Sequence, residues 1–255
     1  GRVGATVLRS GISGADLRGF TAEGGWTLPG QIGGSGPEAL YASGPTRVVS
    51  VAGSIGGDLR AESFNRVIAR PSRGRSGDSW SGGNIEGRIV ASDGRVGGVT
   101  AIGRGGGAGS IGDGIDAAGP VGSVRAIRGS IAGPIEADGD IRTIAAIGGD
   151  VDSNLESTGG RIVRVTARAI GGSGGSIRGS LTAAGDIITV SAVRGDGINA
   201  DIHATDGSIR TVKAIHGDIA GSIHAGGSVN TVMAVHGDVG ASVTADAGSV
   251  GTGKA

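Results

Sequence analysis

The chain lacks cysteine, holds a single methionine, and carries only two Phe, two Trp and one Tyr in 255 residues. Without cysteine, neither disulfides nor thiolate metal sites can hold it together; that absence is compatible with export. The five aromatics, Phe20, Trp26, Tyr41, Phe64 and Trp80, all lie in the first third. We expect them to pack an irregular N-terminal section, with Trp26 and Tyr41 near a cap or subunit junction. The remaining core must then be thin and built from Ile, Val and Ala. Proline is also scarce, 6 residues against 57 glycines, so a collagen triplet is excluded. No apolar run reaches the roughly 18 residues that a membrane span needs. Charge of neither sign dominates, with 23 basic and 23 acidic residues. A phosphate-binding groove needs a basic excess along one face. The sequence displays none, so nucleic acid is not an expected partner.

What the chain has is a repeat. Gly217 to His236 is one copy of G-[DS]-I-x-G-x-I-x-A-x-G-x-I-x-T-V-x-A-[IV]-x, 20 residues long. Clean earlier copies open at Gly109, Gly129, Gly149 and Gly195. Looser ones open at Gly11-Ile12, Gly30-Gln31-Ile32 and Gly53-Ser54-Ile55, for about eleven turns in all. Such a unit cannot bury a core alone, so copies must stack. Within a copy, Ile219, Ile223, Val229, Val232 and Val235 are separated by small or polar residues. That spacing fits neither a helical period nor a long hairpin strand. A disordered glycine-rich linker would lack the regular Ile and Val. Short extended pieces such as Ser228-Val229-Asn230 place one branched side chain inward and its neighbours outward. Glycines between them allow corners with positive φ.

The expected fold is therefore all-β, a single-stranded parallel β-helix of about 20 residues per coil. With coils roughly 4.8 Å apart, about eleven make a rod of some 50 Å. We expect a right-handed winding, because strict left-handed hexapeptide repeats are lacking. One continuous domain should comprise irregular coils over 1–82 and a regular solenoid over 83–255. Pro71 to Gly82, rich in Arg, Ser and Gly, reads as a surface loop or hinge. Thr205-Asp206 reads as a two-residue insertion and Gly171 to Gly174 as a flexible tetrad.

The segment Gly1-Arg2-Val3-Gly4-Ala5-Thr6-Val7-Leu8 matches the half-coil at Gly94-Arg95-Val96-Gly97-Gly98-Val99, and Gly248-Ser249-Val250 enters the same half-coil. Opening in mid-repeat suggests a processed or partial product. Neither end carries an amphipathic capping helix. Uncovered edges invite strand pairing, and a head-to-tail contact propagates into a filament. The residues expected to form the assembly ends are Gly1, Arg2, Val3, Val7, Leu8 and Val250.

Equivalent residues of successive coils should form ladders. Thr143, Thr189, Thr211 and Thr231 fall in register. Ice-ordering faces use two hydroxyl columns, whereas here Ile141, Ile187, Ile209 and Val229 stand two residues earlier and should point inward. His203 stacks on His224, and His216 on His236, with Asp218 and Asp238 two residues beyond the second pair. These six are the candidate metal ligands, since paired imidazoles can take a divalent ion. The bland reading is a solvated ladder, because equivalent earlier positions hold Arg128 and Arg194. Gly-Asp corners at Asp150, Asp218 and Asp238 suggest calcium, the best of the cofactor options. The nine-residue spacing of calcium β-rolls is absent, however, and Asp more simply bonds its own turn backbone. No cofactor is expected. Glu136 and Glu156 share a column, but nothing converges on them, so no catalytic residue is assigned. Arg66, Arg70, Arg73 and Arg75 could meet an anionic partner such as an acidic polysaccharide, or form a solvated loop.

The segments GDIAGSIHAGGSVNTVMAVHGDV and GSIAGPIEADGDIRTIAAIGGDV resemble the GGDLxGxIxAGGxIGxVxVGGD repeats of very large secreted or cell-surface proteins of planctomycete-type bacteria. The likeness is good over residues 83–250 and loose over 1–82. It implies an extracellular or cell-surface location and a structural or adhesive role, and it supplies no catalytic residues. A more distant likeness is to bactofilins, β-helices that polymerise end to end without nucleotide. Bactofilin coils are usually shorter and flanked by charged tails, which are both departures here. The expected function is a structural repeat protein assembling head to tail with itself into a fibre, sheath or surface layer. The alternative is an adhesin or polysaccharide-binding shaft that holds cell-surface glycan.

Overall fold

A computed structural model describes residues 2–3, 12–14, 20–22, 40–42, 45–73, 80–172 and 174–251. It is all-β without a helix, a β-solenoid of about nine turns with about 21 residues per turn. Two parallel sheets run its length, one of 11 strands and one of 13. The long sheet uses seven-residue strands such as Val121–Ile127, Ile141–Ile147 and Ile162–Arg168. The second sheet carries two rows. One is a row of single bridges, Ile55, Ile85, Ile111, Ile131 and Val151. The other is made of three-residue strands such as Ile115–Ala117, Ile135–Ala137 and Leu155–Ser157. In Ile177–Ala183 and Gly197–Ala204 the two rows fuse into one strand.

Six inward columns recur from turn to turn, with an occasional seventh buried side chain such as Ser153 or Ala200. In one turn the six are Ile141, Ile144 and Ala146 from the long strand, Val151 from the bridge row, and Leu155 and Ser157 from the short strand, all 1 % exposed or less. The pattern follows from strand alternation broken by junctions. Ile144 and Ala146 are two apart and share a face. Branched side chains fill the wide positions, and Ala takes the last inward position of most long strands, where Ala101, Ala126, Ala146, Ala167 and Ala192 form a column. One hydrophobic cluster runs unbroken from Val49 to Ala234. Phe64, fully buried, takes a position that is Val96, Val121 and Ile141 in later turns. It is thus a core filler, as expected of the early aromatics. Trp26 lies outside the described residues.

Glycine serves chiefly close approach. A Cβ on Gly129 would sit 2.6 Å from the carbonyl carbon of Gly109, and one on Gly149 would sit 2.3 Å from the carbonyl oxygen of Gly129. These glycines stack directly, and no side chain fits between their turns. Positive φ occurs too, at Gly148 (86°), but Arg128 (60°) and Arg194 (69°) hold that conformation in equivalent positions. The left-handed corner is therefore not reserved for glycine.

The two extra residues of the turn opening at Gly195 are split. Gly197 adds one beside Asp218 of the next turn, and the stretch between Ala204 and Ile209 adds the other. Pro71 to Gly82 is a β-hairpin at its base rather than a plain loop, with Ser72–Arg73 antiparallel to Trp80–Ser81. This hairpin, the turn at Arg104–Gly107 and the segment 169–175 all leave the solenoid at one junction, between long strand and bridge row.

Two early readings need correction. Arg2–Val3 does enter the long sheet, but Val3 stands opposite Ala22 and so in the column of Ala101, not that of Val96. Ile12 pairs with Leu40 in the short-strand row, so Gly11-Ile12 does not open a turn as Gly53-Ser54-Ile55 does. Both slips arise because Val and Ile suit every inward column alike. Gly1, Val7, Leu8 and the copy at Gly30 lie outside the described residues. Val250 bridges Val229, as expected, and is 48 % exposed.

Candidate functional surfaces

Backbone N–H groups at the junctions cannot all reach a strand partner, and side chains one turn below receive them. Before the bridge row, Asn84 N–H donates to Ser54 Oγ (3.2 Å), Ser110 to Asn84 Oδ1 (3.0 Å), Ser130 to Ser110 Oγ (3.3 Å), Asp150 to Ser130 Oγ (3.0 Å), Ser176 to Asp150 Oδ1 (2.8 Å) and Asp196 to Ser176 Oγ (2.8 Å). Asp238 N–H continues the pattern on Asp218 Oδ1 at 2.8 Å. A second series precedes the short strands, where Arg88 N–H binds Asp58, Ser180 binds Asn154 and Ser222 binds Asp201. A third precedes the long strands, where Asp186 receives Ser208, Ser208 receives Ser228 and Ser228 receives Ser249. The expectation that Asp bonds its own turn is thus corrected. The small polar residues tie turn to turn at these junctions, which accounts for their recurrence.

The histidine columns form as read. His203 and His224 have ring centroids 4.8 Å apart at 57°, and His216 and His236 stack at 4.8 Å and 20°. His224 Nε2 lies 3.0 Å from Asp246 Oδ1. Asp218 is engaged by the backbone of Asp238. Among the described residues no three His, Cys, Asp or Glu side chains are grouped to hold a metal.

Glu136 faces Glu156 across adjacent strands, and the column is longer than the sequence suggested. Asp116, Glu136, Glu156, Thr182, His203 and His224 follow one another outward on the short strands. Thr182 and the two histidines thus share the column of the two glutamates. Arg88 reaches both Asp116 (3.5 Å) and Glu136 (3.6 Å). A denser cluster surrounds Arg178, which contacts Asp152 (2.9 Å), Asp196 (2.6 Å) and Asp150 (3.2 Å). Those hydrogen bonds, that of Asp152 foremost, hold its guanidinium even more firmly protonated than usual. Asp201 is pushed below the ordinary carboxylate range by the hydroxyl and backbone N–H of Ser222.

The threonine column is interrupted, because Arg164 stands between Thr143 and Thr189. Ile141, Ile187, Ile209 and Val229 are fully buried, so the position two residues before these threonines supplies no second hydroxyl column.

Charge, balanced in the whole chain, is sorted by face. The long strands from Thr46 to Ala234 contain no Asp or Glu, while Arg66, Arg125, Arg142, Arg164, Arg210 and Lys213 stand at their outward positions. The acids of the described residues occupy the junctions and the second sheet. The expectation that no face carries a basic excess is therefore corrected. A linear charge count averages over faces that only the register separates. On the basic face lies a depression of about 470 Å³, lined by Asn65, Arg66, Arg95, Gly97, Gly98 and Arg142 among others. Comparison with known proteins leaves these surfaces to speak for themselves, since no family model, no curated protein and no solved structure matches the chain.

Proposed function

We propose that the chain is a structural repeat protein whose solenoid continues head to tail with further copies, forming an extracellular fibre, sheath or surface layer. One observation carries this reading. Turns stack through groups that recur along the chain, so the turn over residues 229–251 offers a further turn the kinds of group by which inner turns such as those of Asp218 and Ser228 receive their successors. Asp238 occupies the acceptor position of Asp218, and Ser249 that of Ser228. Val239 and Val243 extend the inner columns but are only partly buried, and Val250 is 48 % exposed. A further turn placed there gains backbone hydrogen bonds, junction contacts and apolar burial, the last worth up to about 1 kcal/mol for each half-exposed Val covered. Heterologous contact of this sort does not close on itself. The extracellular location rests on the resemblance of the repeats.

Electron microscopy of the purified chain over a range of concentrations tests the reading. Linear particles of increasing length are expected, and Val243→Asp with Val250→Asp should shorten them while circular dichroism stays unchanged. Folded monomers at every concentration would overturn it. Immunogold labelling of intact cells tests the location.

A further inference from the structure

We propose that the long sheet binds a linear acidic polysaccharide, with its carboxylates held by the arginines of the basic face. Three features carry this. First, the face is cationic without internal compensation. Among the described residues, Arg66, Arg125, Arg142, Arg164 and Arg210 are exposed and take part in no ion pair. Off this face, Arg88, Arg161 and Arg178 differ, for each is paired with acids. Second, the face has a bare floor. Gly97, Gly98 and Gly122 place backbone where neighbouring strands place side chains, and Arg66, Arg95 and Arg142 stand around that floor. Arg66 and Arg142 belong to strands three steps apart in the sheet, roughly 14 Å along the axis. That span suits an extended chain lying along the solenoid rather than a small anion.

Third, the chemistry around the arginines is that of sugar recognition. Ser123, Thr143, Thr189 and Thr211 occupy the outward column that also holds Arg66 and Arg164. Hydroxyls beside guanidinium groups match the alternation of hydroxyl and carboxylate along a polyuronate. Arginine meets a carboxylate with two parallel hydrogen bonds. Single-stranded nucleic acid is the poorer fit, because such binding uses aromatic platforms for the bases. The aromatic side chain of these strands from Thr46 to Ala234, Phe64, is fully buried.

The test uses the whole chain and polygalacturonate as the probe, with neutral dextran and duplex DNA in parallel, at low and at physiological salt. Saturable binding of polygalacturonate that weakens with salt is expected, with none to dextran. Arg66→Ala with Arg142→Ala should weaken it at least about tenfold. Gly98→Glu is the sharper variant. A Cβ there meets only the carbonyl oxygen of Ser123, at 3.7 Å, so the added carboxylate disturbs charge and not packing. It should abolish binding with the circular dichroism spectrum unchanged. No binding at low salt, equal binding by both variants, or tighter binding of duplex DNA would each overturn the proposal. None of these results depends on filament formation, so a monomeric chain that binds polygalacturonate refutes only the assembly reading.

Discussion

Asp150 Oδ1 accepts the backbone N–H of Ser176 at 2.8 Å, although 26 residues separate them in the chain. The other oxygen of the same carboxylate meets Arg178 at 3.2 Å. One side chain thus closes a long step of its ladder, 26 residues against the 20 between Ser130 and Asp150, where the chain from Asp150 to Ser176 carries an insertion. Asp150→Ala should cost about 1–2 kcal/mol in urea unfolding, as expected for a partly buried N–H left without its acceptor. Asp150→Asn keeps an acceptor and should recover most of that loss. Equal losses in the two variants would show that the ion pair, not the ladder, matters there.

Glycine stacking makes an opposite pair of predictions. Gly149→Ala drives a Cβ to 2.3 Å from the carbonyl oxygen of Gly129, so the turns must part. A loss of about 1–3 kcal/mol or more is expected. Gly106→Ala meets no atom within 4 Å and should stay within about 0.5 kcal/mol of the parent. Thermal unfolding of the two variants side by side checks both.

Thr46 stands in a column that is otherwise Phe, Val or Ile, is 1 % exposed, and its hydroxyl has no hydrogen-bond partner. Burying an unsatisfied hydroxyl costs roughly 1–3 kcal/mol. Thr46→Val keeps the branched shape and should stabilise the chain by about 1 kcal/mol. Any destabilisation on unfolding would contradict this.

Asp201 titrates below the ordinary carboxylate range because its charged form accepts two hydrogen bonds from Ser222. A depressed folded value means stability that is complete above the unfolded pKa of about 3.9 and is lost as pH falls through the folded value. NMR titration should place the Asp201 midpoint below that of an unfolded peptide. Ser222→Ala should move the midpoint upward.

Glu156 stands opposite Glu136 in parallel strands, and the available cation, Arg88, reaches Glu136 and Asp116 instead. Like charges facing each other oppose pairing. Glu156→Lys should therefore raise stability by about 0.2–1 kcal/mol, measured by chemical denaturation at low salt. The gain should shrink at high salt.

Much of this architecture was legible in the chain. Ile131, Ile135, Ile141 and Ile144 are spaced by strand alternation and short junctions, and all four are fully buried. The six-residue step from Ile135 to Ile141 would turn the next side chain off the face of a helix. The phase of the early turns was harder, since Val3 and Val96 look alike although they occupy different columns. The direction of the junction hydrogen bonds was also hidden. In one dimension Asp150 is near its own turn alone, and Ser176, 26 residues on, becomes its neighbour only through stacking. The basic face escaped for a related reason. Arg66, Arg125 and Arg142 are far apart in sequence, are diluted by acids at every junction, and come together only when the turns are in register.

The hairpin at Ser72–Ser81, the turn at Arg104–Gly107 and the segment 169–175 all emerge at one junction. The longer insertions therefore share a single seam, while single extra residues such as the one between Ala204 and Ile209 are taken up at the junction before the long strand, and the columns on either side keep their alignment. Such a seam is where this scaffold can acquire new loops by drift without refolding, as a spine gains a fringe on one margin only.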